Sequence, residues 1–352
     1  MAVRALSSRR ASRARSRFGG PRLSGRRRLP KLGPTPRAML VNLVPEFLAV
    51  RAAPDPLAAY HEYLERHQPV LTSYWHNYVL DPASPHAEQV VLAALHADRT
   101  DLQRLLEDVD VVAIAEEAVQ RALDLADADC PVDLYLMVGV GAANAGELVV
   151  GGRGVAFICL EHFTGRANPQ TYGMGLAPHL LPLWIAHEVA HAIRYTSPTS
   201  RAELRRLVAL GGGRYDYWET GSRATLRELL VNEGCAVAAA QAVAPGFEPW
   251  EYFGYTRRQY RRIRELDAFL RRVAAPLLDE TGLGLRLRFL SGGLSPAARL
   301  VGGKVLPERS GYYHGLRLVE SYLAEQGLPS TLRASAQEFR RAEERALGIQ
   351  SA

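Results

Sequence analysis

The sequence predicts an α+β fold, a small sheet followed by a mainly helical half. Three observations predict it. From Asp55 to Ala126, apolar residues recur at every third or fourth position, the spacing of helices packed on one side. Between Val132 and Leu160 the period shortens to that of strands. After Pro182 the helical spacing returns and persists. Strands grouped together, instead of alternating with helices, argue against a parallel α/β arrangement.

Taken in order, the clearest early helix is Val109–Ala126, whose buried side is marked by Val112, Ile114, Ala115, Ala118, Leu123 and Leu125. Pro131 is the latest point at which it can end. Val132–Val140 (VDLYLMVGV) and Gly154–Leu160 (GVAFICL) read as strands, with ELVV between them as a possible third and Gly151-Gly152 as the turn. The strongest later helices are Leu183–Tyr195, Ala224–Ala244, Arg257–Ala275 and Tyr312–Glu325. Pro198 and the Gly211–Gly213 run separate the first two, and Pro276 ends the third.

Composition separates a tail from a body. The 352 residues are 47% apolar and 23% charged, ordinary values for a globular protein, and long enough for a sizeable core. Residues 1–38 carry eleven arginines and Lys31 with no acidic residue, so residues 39–352 hold 31 cations against 37 anions. The net charge of +6 therefore belongs to a tail, which has no apolar period and is expected to be disordered. Beyond it, a helical N-terminal region over 39–130 and a second region over 131–347 are expected. No apolar run approaches the length of a membrane span, and Met39–Val50 is broken by Pro45 and Glu46. No membrane partner is expected. Cys130, Cys159 and Cys235 are odd in number and form no C-x-x-C pair, which fits a reducing cytoplasm.

The chemistry is concentrated in His187-Glu188-Val189-Ala190-His191, an H-E-x-x-H motif inside the apolar helix LLPLWIAHEVAHAIRY. Histidines four apart lie on one helix face, so both imidazoles can reach one ion. Glu188 stands about 100° around from His187, beside the ion, where it can take a proton from a water at the metal. Two helix histidines hydrogen-bonded to carbonyls are the bland alternative. Catalytic zinc usually takes three protein ligands. One pattern requires Gly at 194 and His at 197, but Arg194 and Ser197 stand there. The other takes a glutamate from a following helix, and ATLRELLVNEGCAVAAAQAVA (224–244) buries Glu233 among Val231, Gly234, Ala236 and Val237. A carboxylate in such surroundings needs a cation or several donors. The small residues Gly234, Cys235 and Ala236 suit a close approach to the histidine helix. Glu228, about 140° around the helix from Glu233, reads as a solvent residue.

HEVAH followed by V-N-E-G-C-A resembles the gluzincin pattern of zinc metallopeptidases, H-E-x-x-H then (N)-E-G-x-A. It is most similar to a bacterial group of predicted zinc-dependent proteases of unknown substrate, and more distantly to aminopeptidase-like gluzincins. The resemblance implies a zincin-like fold, one Zn²⁺ per chain held by His187, His191 and Glu233, and a peptide or protein substrate. Gly311-Tyr312-Tyr313-His314-Gly315 followed by LRLVESYL looks like the segment carrying those enzymes' transition-state tyrosine. By that match Tyr312 donates to the oxyanion, with Tyr313 and His314 in reserve. The resemblance also implies an edge strand along the cleft that pairs with substrate, for which Gly154–Leu160 is the candidate and a plain core strand the alternative. The gap from His191 to Glu233 exceeds that of the aminopeptidases, and no G-x-M-E-N-type segment is present, so exopeptidase action has no support.

Weaker signals remain. Gly211–Ser222 (GGGRYDYWETGS) reads as a lid or as an ordinary surface loop. Tyr255–Arg264 carries five arginines and two tyrosines, either a solvated helix face or a patch for an anionic substrate or RNA. His162 and His179 are spare ligand candidates. Gly139-x-Gly141 lacks the third glycine and the helix of a dinucleotide site. Two other functions compete with hydrolysis: a non-catalytic protein that keeps a metal for stability, and a nucleic-acid adaptor acting through the basic tail. An intact Glu188 argues against the first, and nucleic acid is not expected as a partner of the body.

Overall fold

The segments of strand period form one four-stranded sheet. In the computed structural model, which describes residues 38–346, its strands are β1 (Leu40–Asn42), β2 (Val132–Met137), β3 (Ala145–Val150) and β4 (Arg153–Cys159). Their order is β1-β2-β4-β3, with β1–β2 and β2–β4 parallel and β3 antiparallel to β4. The edge strands are thus β1 and β3, and Gly154–Leu160 supplies neither. The turn at Gly151-Gly152, both at positive φ, folds ELVV back outside β4 and leaves β4 between two neighbours. The basic segment expected over 1–38 lies, apart from Ala38, outside the described residues.

Helices cover both faces of this sheet, which explains why its strands read as nearly continuous apolar runs. On one side, α1 (Val44–Arg51), α2 (Pro56–Arg66), α3 (Val70–Tyr74, continuing as a π-helix to Val79), α4 (Ala87–His96) and α5 (Thr100–Asp108) make up the early helical region. Phe157 of β4 meets the rings of Tyr74 and Tyr78 edge-on at 5.3 and 5.0 Å. The expected helix ending near Ala126 is α6 (Val111–Leu125), started by Asp110, whose side chain accepts from Ala113 N. Ala115, Ala118 and Leu123 are buried as expected, whereas Leu125 is exposed in the last turn.

A small ribbon of β5 (Ala167–Asn168) and β6 (Gly173–Met174) precedes α7 (Leu181–Thr196), the histidine helix. Pro182 occupies the first turn of α7, where the missing N–H costs nothing. Gly154 of β4 lets α7 lie close against the sheet, since a Cβ there would sit 3.0 Å from Ala192 Cβ. Then follow α8 (Glu203–Leu210), α9 (Tyr217–Arg223) and α10 (Leu226–Val243), the last capped by Thr225 accepting from Glu228 N. The expected helix over Arg257–Ala275 is broken at Leu266 into α11 (Arg257–Glu265) and α12 (Asp267–Ala274). After α13 (Leu283–Leu290) and the ribbon β7 (Leu300–Val301) and β8 (Lys304–Val305) comes α14 (Ser310–Arg333), kinked at Gly327, then α15 (Ala336–Ala346). The architecture is α+β, a small sheet with a mainly helical remainder. Among the described residues, no helix is long and apolar enough to cross a membrane.

The Gly211–Ser222 segment, read as a lid or an ordinary surface loop, packs partly on the sheet edge. Tyr217–Arg223 is helical, Tyr215 is buried with its ring stacked on Tyr195 at 4.9 Å, and Gly213 O accepts from Gly152 N. Tyr215 N and Tyr78 Oη both reach the outer edge of β3, the former bonding Val149 O and the latter lying 3.1 Å from Glu147 N.

Candidate metal centre

Three helices, α7, α10 and α14, pack against one another at this centre. Fourteen of the sixteen residues of α7 are buried, His187 and His191 among them. α10 crosses α7 and is buried almost all round, and α14 crosses α10. Gly234 does not face the histidine helix as its size suggested. It faces α14, where a Cβ on Gly234 would lie 2.2 Å from Gly315 O.

These contacts bring His187, His191 and Glu233 together. Glu233 Oε2 lies 3.3 Å from His187 Nε2 and 3.5 Å from His191 Nε2. Four-coordinate zinc with bonds of about 2.0–2.1 Å separates its ligand atoms by about 3.3–3.4 Å. The spacing is long for a direct hydrogen bond, and Glu233 Oε2 has no hydrogen-bond partner. Two imidazoles and one carboxylate are a zinc donor set, so the residues fit that ion. His187 Nδ1 and His191 Nδ1 have no protein partner, and packing orients the rings. His187 lies between Trp184 (5.7 Å) and the nearly parallel ring of Tyr312 (6.0 Å, 13°), and His191 stacks on Tyr195 (6.1 Å).

A second buried acid cluster adjoins the first. Glu147, Glu188 and His191 have ligand-type atoms within 4.8 Å of one another. Glu147 is the cross-strand partner of Ala156 and turns inward; its Oε1 accepts from Tyr195 Oη (2.9 Å) and its Oε2 from Tyr78 Oη (3.0 Å). Burial, then the charges of Glu147 and Glu233, push the Glu188 carboxyl well above the carboxylate range against the pull of His191 and Arg309. Burial alone would raise Glu233 too, but His191 and His187 outweigh it and hold Glu233 ionised. Burial lowers His187, whereas at His191 the surrounding carboxylates overcome burial and push the imidazole up to about 9. This pocket favours positive charge, and a divalent cation competes with that proton for the same nitrogen.

Residues 214–341 match the family described as Predicted Zn-dependent protease (DUF2268). No curated protein and no solved structure matches the chain. The matched segment includes Glu233 and Tyr312 but begins after His187–His191, so the motif and the family likeness are separate observations. The chain is thus similar, over its C-terminal part, to predicted zinc-dependent proteases, and its His/Glu cluster is a group that can hold a metal.

Of the remaining candidates, Glu228 is not a solvent residue. It is fully buried, and Oε1 accepts from Arg194 Nη2 at 2.8 Å. Arg194 also donates to Asn232 Oδ1 and to Ala334 O. His162 is buried and belongs to neither group of ligand-type side chains, its Nδ1 accepting from Met174 N, and His179 stacks on Phe247. Tyr313 turns toward Phe253 and Tyr260, away from His187. Two residues of the centre went unnoticed in sequence. Glu147 carries the signal that found Glu233, a carboxylate inside an apolar segment. Arg309, whose guanidinium lies 4.5 Å from the Tyr312 ring centroid, carries none.

Proposed function

We propose that this chain is a zinc-dependent peptidase of the gluzincin type on a zincin-like fold, acting on a peptide or protein substrate in the cytoplasm. The observation that supports it most is the approach of Glu233 Oε2 to 3.3 Å from His187 Nε2 and 3.5 Å from His191 Nε2, beside the buried carboxyl of Glu188. One Zn²⁺ per chain, when bound, supplies Lewis-acid activation of water and of the scissile carbonyl. Glu188 takes the proton of the attacking water and returns it to the leaving amine, a role suited to a carboxyl whose proton affinity is raised. Glu147 braces Glu188 from the sheet side. Tyr312, against His187, donates to the oxyanion. In this reading residues 39–130 form a helical N-terminal region and 131–347 the zincin-like region, and neither a membrane nor nucleic acid is a partner of the catalytic body.

The test is metal content and hydrolysis in the same preparations. Wild type should carry about one zinc, and His187→Ala, His191→Ala and Glu233→Ala should lose it. Glu188→Gln should keep zinc and fold yet lose hydrolysis by roughly 10²–10⁴. Full zinc occupancy in Glu233→Ala removes that ligand, and equal cleavage by wild type and Glu188→Gln across a broad peptide library removes the enzyme.

A further inference from the structure

A groove of about 1020 Å³ runs along α11, on a surface that the metal chemistry does not use. Nine residues of α11 hold five arginines and one glutamate, in a body whose acids outnumber its bases. Arg262 pairs with Glu265 (3.4 Å). Arg257, Arg258, Arg261 and Arg264 line the groove, are exposed, and have no carboxylate within ion-pair distance among the described residues. Crowding like charges on one short helix works against folding, so stability does not explain the arrangement.

The spacing is directional. Positions 257, 261 and 264 follow the four-then-three rhythm of one helix face, so three guanidiniums form a stripe about 10 Å long. That length matches about three residues of an extended chain. Arg257 is held over Trp250 and Arg264 over Tyr260, each at 5.7 Å, which fixes two of the cations before anything binds. Because arginine already lies against those two rings, they offer little platform for stacking bases. Separate carboxylates on a flexible chain fit better.

The helix behind the groove is tied to the segment that leads into α14. Gln259 Nε2 of α11 donates to Glu308 O (2.9 Å), and Tyr255 Oη donates to Arg309 O (2.5 Å). Arg309 has no carboxylate within ion-pair distance either, and its backbone is held in the left-handed region (φ 55°), which is costly for a side chain of this size. Its guanidinium lies over Tyr312 and 5.9 Å from Trp184, the residue packed on His187. The segment carrying Glu308 and Arg309 therefore links α11 to the residues around His187.

We propose that the α11 groove docks acidic stretches of a polypeptide substrate, with Arg257, Arg261 and Arg264 as the contacts. What is delivered rests on the peptidase reading; the binding itself does not. The experiment measures fluorescence anisotropy of a labelled peptide with a short oligo-glutamate stretch, using the zinc-loaded full chain. Wild type is compared with Arg257→Ser/Arg261→Ser/Arg264→Ser, and thermal midpoints confirm that these exposed changes leave the fold intact. The glutamate peptide should bind, its affinity should fall about tenfold or more in the triple variant, and it should weaken as salt rises above about 0.15 M. Equal binding by wild type and the triple variant overturns the proposal, because the basic segment 1–38 would then be the binder. Tighter binding of oligo(U) than of the glutamate peptide overturns it in favour of nucleic acid. Cleavage is scored separately: a groove-dependent complex that is never cut refutes the peptidase and leaves the groove standing, whereas cleavage without groove dependence does the reverse.

Discussion

Gly234 and Gly315 place the backbones of α10 and α14 in direct contact: a Cβ on Gly315 would lie 1.9 Å from Leu230 O, and one on Gly234 2.2 Å from Gly315 O. Glu233 stands next to one glycine, and Tyr312 one turn before the other. The crossing therefore fixes the distance between the metal-side carboxylate and the tyrosine. Gly315→Ala forces a methyl into a backbone carbonyl, which no rotamer change relieves. It should cost about 1–3 kcal/mol or more, as overpacking does, and reduce hydrolysis although no polar site group is altered. A wild-type melting temperature in Gly315→Ala would show that the two helices are not in contact.

Glu228 and Arg194 form an ion pair with no access to solvent, so removing one partner strands the other. Glu228→Ala should lower stability by about 3–5 kcal/mol, the usual result of orphaning a buried charge. Glu228→Gln should cost less, because its amide oxygen still accepts from the guanidinium. Zinc bound by the folded fraction should be unchanged in both. Zinc loss with normal stability would move Glu228 into the metal centre.

That pair also shows where sequence reading stops. The helices α7 and α10 were legible from apolar spacing, and Glu233 from the cost of a carboxylate among small apolar residues. Reading Glu228 as exposed assumed that α10 has one buried face. In fact α10 is enclosed by α7, α14 and neighbouring segments, so turning 140° from Glu233 leads into another interior. The partner, Arg194, is 34 residues away, and no local pattern links the two. Glu147 carries the signal of a carboxylate in an apolar segment, but a short strand gives an acid an outward position as readily as an inward one, and the bond from Tyr195 Oη is what shows that it faces α7. The Gly151-Gly152 turn announced a hairpin, but which of its strands lies outside depends on β2 pairing with β4. That contact, like β1 on β2, is set by long-range packing.

Arg201 and Glu338 tie the segment after α7 to α15 through two hydrogen bonds of 2.8 Å. The bonds to Arg201 hold the Glu338 carboxyl down to about 2. A carboxyl lowered on folding adds stability that is complete above its unfolded value and is lost as pH falls toward the folded one. The difference in urea midpoint between wild type and Arg201→Gln should be greatest near neutrality and shrink as pH falls from about 4.5 toward 2. Both groups are partly exposed, so the difference should stay within about 1 kcal/mol and decrease in high salt. A difference that grows on acidification contradicts the pairing.

Tyr312 carries the boldest role and has the simplest test. Its ring lies nearly parallel to His187 at 6.0 Å, and burial, then the charge of Glu233, pushes its hydroxyl well above a free phenol. A phenol shifted in that direction keeps its proton as a donor. A donor aimed at a developing oxyanion acts on the transition state more than on the bound substrate. Tyr312→Phe should therefore lower kcat and kcat/KM together, by roughly 10²–10³, with zinc content and melting temperature unchanged. Tyr313 packs against Phe253 and Tyr260, so Tyr313→Phe should leave the rate nearly intact. His314 is buried, and burial pushes its imidazole down to about 4, so His314→Ala should act through stability. If only KM rises in Tyr312→Phe, the hydroxyl binds substrate and does not assist the chemical step. If the rate loss appears in Tyr313→Phe alone, the start of α14 is rotated from the arrangement described and the oxyanion donor is Tyr313.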